Sequence, residues 1–121
     1  IFDGINVNVR DSFGATALLL ACKNGHFTVV EALLKVDGMH VNVTDIFDCT
    51  ALICASKNGY LEIVEALLKV DGVDVCATDF QMATALMWAT RNEHFAGVDA
   101  LQAYISTQPP AAKIEVGCII C

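Results

Sequence analysis

The chain has 121 residues, is 55% hydrophobic and carries a formal net charge of −7, from 14 acidic against 7 basic side chains. That length suits one ordinary domain, yet no uninterrupted apolar stretch reaches the roughly 18 residues of a membrane-spanning helix. An acidic surface repels phosphate backbones, which argues against non-specific nucleic-acid binding. The apolar content exceeds the usual range of about 45–50%, so the excess must be buried in a core, in a stack or against a partner.

From the N-terminus, Asp3-Gly4-Ile5-Asn6-Val7-Asn8-Val9-Arg10-Asp11 aligns with 37–45 and 71–79. Ile1-Phe2 then falls at the end of a preceding unit, and the chain is expected to be a piece of a longer array. Thr16 predicts an N-cap whose hydroxyl accepts from the first helical turn, ahead of a short apolar helix over 17–22. Gly25 stands where a helix ends on a left-handed residue. A second helix is predicted over 28–36, with Val29, Val30, Leu33 and Leu34 at helical spacing on one face. Asp37-Gly38 breaks it, and an extended Val41-Asn42-Val43 leads onward. The same order follows again: the cap Thr50, a helix over 51–56, Gly59, a helix over 62–70 carrying Ile63, Val64, Leu67 and Leu68, the break Asp71-Gly72, and an extended Val75-Cys76-Ala77. Thr84 caps a third first helix over 85–90, but this copy then decays. Glu93 replaces the turn glycine, Gly97 replaces Val29 and Ile63, and Gln102 replaces Leu34 and Leu68. Gln102 makes the outer face more polar, as a terminal cap needs. Gly97 costs about 1 kcal/mol of helix stability relative to Ala. Pro109-Pro110 stops regular structure, and the C-terminal copy is expected to fray first.

The period is 34 residues, and 16–49 and 50–83 are identical at 19 of 34 positions. A fixed period of this size means a stacked array, in which each helix pair buries its apolar face only against its neighbours. The matching residues are Gly14-Ala15-Thr16-Ala17-Leu18, Asn24-Gly25-His26, Val29-Val30, Leu33-Leu34 and Gly38-Met39-His40-Val41-Asn42. In the second copy they are Thr50-Ala51-Leu52, Asn58-Gly59-Tyr60, Val64, Leu67-Leu68 and Gly72-Val73-Asp74-Val75. On these residues the chain resembles ankyrin-repeat proteins. Ala17, Ala51 and Ala85 stand in place of the family proline, and Leu19, Ile53 and Met87 in place of its histidine. The resemblance implies an all-α solenoid of helix-turn-helix units joined by extended hairpin-like loops. The array is assigned to 1–104, as a partial repeat 1–11 and repeats 12–45, 46–79 and 80–104, the last degenerate, followed by a tail over 105–121.

The resemblance also implies a protein–protein interaction module, a scaffold or adaptor binding another protein through its loop tips and the concave side of the first helices. Carried onto this sequence, the tip residues are Ser12, Phe13, Ile46, Phe47, Phe80 and Gln81. Four of the six are large and apolar, and exposed apolar patches mark partner sites; the structural alternative is that Phe13, Phe47 or Phe80 folds back onto the stack. Lys23, Lys57 and Arg91, each followed by Asn, form one cationic row along the first helices. They can contact an acidic partner, or simply complement the C-terminal end of each helix dipole. His26 and His94 occupy one repeat position, with Tyr60 between, which reads as structural; no metal or other cofactor is expected. No Gly-rich phosphate loop, paired-acid motif or partnered nucleophile occurs, so no enzymatic activity is expected. The six cysteines do not follow the repeat and read as free thiols in a reducing, intracellular, cytoplasmic setting. Cys118-Ile119-Ile120-Cys121 has the form of a prenylation signal at Cys118, without an upstream basic segment; a plain hydrophobic tail is the alternative. Other readings of the chain are a regulatory segment of a larger multidomain enzyme or effector, or a prenylated, membrane-anchored adaptor.

Overall fold

The structure is a computed structural model that describes residues 7–107. The segments 1–6 and 108–121 lie outside it, and with them Ile1-Phe2, Pro109-Pro110 and the Cys118 tail. The described residues form six helices and no strand: α1 (Ala17–Asn24), α2 (Phe27–Leu34), α3 (Ala51–Asn58), α4 (Leu61–Leu68), α5 (Ala85–Arg91) and α6 (Phe95–Thr107). They pair as α1–α2, α3–α4 and α5–α6. α3 packs between α1 and α5, while α4 packs between α2 and α6.

Each first helix starts as the repeated threonine requires. The Thr16, Thr50 and Thr84 hydroxyls each accept a 3.2 Å hydrogen bond from the backbone N–H three residues on. This satisfies a donor that the first turn leaves without a helical partner. α1 and α3 run on past the predicted ends to Asn24 and Asn58, then stop at Gly25 (φ 76°) and Gly59 (φ 75°). A side chain at either glycine would collide with the next repeat. A Cβ at Gly25 would stand 2.8 Å from the Tyr60 ring, and one at Gly59 2.6 Å from the His94 ring. Tyr60 and His94, at one repeat position, are therefore stacking elements that roof the preceding turn.

The second helices end earlier than predicted, at Leu34 and Leu68. Lys35 and Lys69 donate to Ala32 and Ala66, and Val36 and Val70 to Leu33 and Leu67, which tightens the last turn. The segments expected to be extended are turns at Val41-Asn42 and Val75-Cys76. Their geometry follows from an asparagine that bridges repeats. Asn42 donates to the Gly72 carbonyl (2.8 Å) and accepts from the Asp74 N–H (2.8 Å). Asn8 does the same with Gly38 and His40. Cys76 holds this position in the next repeat and cannot supply an amide.

The core runs through the middle of the stack. Leu18, Leu52, Ile53, Ile63, Val64, Leu67, Ala89 and Leu101 are all buried. The middle pair is sealed most completely: α3 buries every residue from Ala51 to Ser56. Ile63 is 1% exposed, whereas Val29, its counterpart in α2, is 47% exposed. Among the described residues α2 packs against one second helix, α4, whereas α4 packs against both α2 and α6.

Candidate functional site

The loops that precede α1, α3 and α5 are built alike. The Asp11 carboxylate accepts from the N–H groups of Phe13 (2.8 Å) and Ala15 (2.9 Å). Asp45 accepts from Phe47 (2.8 Å) and Cys49 (3.1 Å), and Asp79 from Gln81 (2.9 Å) and Ala83 (3.1 Å). An Asp that caps its own loop in this way turns the chain sharply and projects the residues between. Consecutive tips are then tied by backbone bonds, Ile46 N–H to the Phe13 carbonyl (3.0 Å) and Phe80 N–H to the Phe47 carbonyl (3.1 Å).

The predicted tip residues point outward. Phe13 is 62% exposed, Ile46 58%, Phe47 48% and Phe80 60%, and Ser12 and Gln81 are exposed too. The aromatics do not fold back onto the stack; Phe47 and Phe80 meet each other, with ring centroids 5.9 Å apart. Behind them lie two clefts, one per repeat junction. The first, about 230 Å³, is lined by Phe13, Leu20, Lys23 and Phe47 among others. The second, about 500 Å³, is lined by Phe47, Cys49, Cys54, Lys57, Phe80 and Trp88 among others.

Lys23, Lys57 and Arg91 all stand in the last turn of their helices and are exposed, consistent with the dipole argument. Two of them have a further role in the geometry. Lys57 Nζ lies 4.4 Å and Arg91 Cζ 4.7 Å from the Trp88 ring centroid. Trp88 is the sole tryptophan of the chain and is nearly buried. Its Nε1–H donates to the second oxygen of Asp79 at 2.7 Å. Burial pushes the Asp79 carboxyl up. Donors from Ala83, Trp88 and Gln81, with the charge of Lys57, outweigh that and hold it below its ordinary 3.8.

Several residues of this surface escape a reading by motif. Trp88 follows Leu20 and Cys54 in the repeat register, so disagreement between copies is the signal that marks it. Met82 follows Gly14 and Asp48, and all three are left-handed, with φ of 64°, 76° and 61°. A methionine in that conformation is strained, and this one is 75% exposed. Nothing in a methionine announces such a turn, unlike the glycine two repeats earlier.

The cysteines differ from one another. Burial pushes the Cys22 thiol up to about 12. Cys54 is also raised, first by its hydrogen bond to Cys49 and then by burial. That same bond lowers Cys49, against the opposing effect of burial. Cys22, Cys49 and Cys54 are free thiols. The expectation of free thiols throughout is corrected at Cys76, which is disulfide-bonded and lies half-buried in a turn packed against the core. Among the described residues no cluster of His, Cys, Asp or Glu could hold a metal ion, and no helix is long and apolar enough to cross a membrane. The weak lipidation candidate Cys118 lies outside the described residues.

A family model described as ankyrin repeats (3 copies) matches residues 1–79. No curated protein matches the chain significantly in sequence.

Proposed function

Because the chain belongs to the ankyrin-repeat family, whose arrays are generally protein–protein interaction modules, we propose that it binds a protein partner through the tips and clefts along α1, α3 and α5. The observation that carries this reading is the row Phe13, Phe47 and Phe80, each about half-exposed or more, beside clefts lined by Lys23 and Lys57. Large aromatics left in water gain most when a partner covers them, and such residues dominate interface energetics. The repeated Asp-capped loops and tip-to-tip backbone bonds hold these rings in place before binding, which reduces the ordering cost of association.

We assign no chemistry to the chain itself; its role in this reading is to hold or position another protein. The test is affinity capture from source lysate with the wild type and with a variant carrying Phe13→Ser, Phe47→Ser and Phe80→Ser. The specific partner should be lost from the variant while its helical circular dichroism and melting temperature stay near wild type. Equal capture by both proteins would contradict the reading. Loss of folding would instead make the rings part of the stack.

A further inference from the structure

We propose that Cys49 and Cys54 form a reversible dithiol–disulfide site in the second cleft, oxidised by small-molecule disulfides. The site is independent of any protein partner. A bridge there ties the tip that carries Phe47 covalently to α3.

The helix cap brings the two side chains together. Thr50 is the N-cap of α3: its hydroxyl accepts from the Ile53 N–H at 3.2 Å and its carbonyl from the Cys54 N–H at 3.0 Å. Cys49 therefore stands just before the cap, and Cys54 is the fourth helical residue. Side chains at these two positions pack against each other where a chain enters a helix. The first repeat fills the pair with Ala15 and Leu20, and the third with Ala83 and Trp88. The second repeat places a thiol at both ends, and there the contact is a hydrogen bond between Cys54 and Cys49. Both cysteines line the cleft of about 500 Å³, which gives a small oxidant its approach.

The two thiols have unequal roles. Cys49 is half-buried in the tip loop, whereas Cys54 is buried. The hydrogen bond from Cys54 and, more weakly, the charge of Lys57 lower the Cys49 thiol, while burial, Asp45 and Asp79 act against them. The Cys54 thiol is raised. A thiolate, not a thiol, attacks a disulfide, so Cys49 is the attacking group and Cys54 the resolving one. First, the Cys49 thiolate bonds to one sulfur of the oxidant, whose S–S bond breaks. The expelled thiolate takes up the proton that Cys49 released to water. Next, Cys54 gives its proton to water and its sulfur attacks the Cys49 sulfur. The mixed disulfide breaks, and the second thiolate leaves and is protonated. The protein dithiol thereby loses two electrons, and the oxidant ends as two thiols. Cys22 takes no part: it is fully buried in α1, which pushes its thiol up to about 12.

The test treats the full chain with glutathione disulfide in native buffer, blocks remaining thiols with iodoacetamide and digests with trypsin. Residues 36–57 hold both cysteines between Lys35 and Lys57 and are released as one peptide. That peptide should emerge two hydrogens lighter, unalkylated and free of glutathione, and should regain two alkylatable thiols after dithiothreitol. Cys54→Ala should stop at a stable glutathione adduct on Cys49. Cys49→Ala, which installs the alanine of the other two repeats, should leave Cys54 a free thiol. Cys22 should stay a thiol throughout, the sign that the stack is folded during the reaction. The proposal is overturned by a lasting glutathione adduct on wild-type Cys49 or by a wild-type peptide that stays fully alkylated. Glutathione on Cys54 in the Cys49→Ala variant, or a bridge from either cysteine to any other, overturns it equally.

Discussion

The second and third repeats share a threonine-capped first helix and part company in what they bury. α3 hides all of Ala51 to Ser56, while α5 hides Ala85, Trp88 and Ala89 and leaves Met87 45% exposed. The second repeat ends its first helix on Gly59, the third at Asn92 followed by the left-handed Glu93 (φ 60°). The first repeat sends Asn42 forward to Gly72 and Asp74 of the second, and the second carries Cys76 where that rung would continue to the third. The middle of an array has neighbours on both sides and is written for packing. The third repeat departs from the packing text where it gains Trp88, flanked by its own Arg91 and by Lys57 of the second repeat, and the exposed Met82. Stack stability and surface chemistry are thus drawn from different copies of one plan.

The sharpest way to break this contrast is at Asp79, which serves both the loop and the indole. Asp79→Asn must turn an amide N–H toward at least one of the donors on Ala83, Gln81 or Trp88. A buried donor left without an acceptor costs about 1–3 kcal/mol, to be read as a lower midpoint in urea unfolding. The pH dependence has a definite sign. The folded carboxyl sits below its ordinary 3.8, so its stabilisation is full above that value and is lost as pH falls through the folded value. The gap between wild type and Asp79→Asn should therefore narrow on acidification below about pH 4. A constant gap would remove Asp79 from the account.

Two substitutions should bring the third repeat closer to the second. Glu93→Gly relieves a left-handed non-glycine residue, a gain of about 1 kcal/mol. Gly97→Ala places a Cβ at an ordinary 4.0 Å from the Ala89 Cβ and removes a helical glycine, worth about 0.5–1 kcal/mol. Both should raise the thermal midpoint and leave partner capture unchanged, because neither residue lines the two clefts. The smallest effect is chemical. Cys49 should alkylate with iodoacetamide well before Cys22 or Cys54, as peptide mapping by mass spectrometry would show, because its thiol is lowered where theirs are raised.

What could be read from the chain alone was whatever solves a local backbone problem. Thr16, Thr50 and Thr84 cap helices and Gly25 and Gly59 end them because a hydroxyl and a missing Cβ act within a few residues. The outward tips were legible for the same reason, since a repeated loop fixes which residues project. The contents of the clefts were not. The Asp79–Trp88 bond joins a loop to a helix, the Lys57–Trp88 contact joins two repeats, and the Cys49–Cys54 contact depends on how a cap turns into its helix. The asparagine bridges reach 30 residues forward and look like loop polarity until the repeats are stacked. Helix ends at Leu34 and Leu68 were missed because a tightening last turn has no compositional mark.

The most direct test of where this protein acts is amide hydrogen exchange, measured on the chain alone and with its captured partner. The account predicts new protection on the tip loops 11–15, 45–49 and 79–83 and on the ends of α1, α3 and α5. It predicts no change on the outward side of α2 and α4. Protection confined to α2 and α4, with the Phe-bearing tips unaffected, would contradict it.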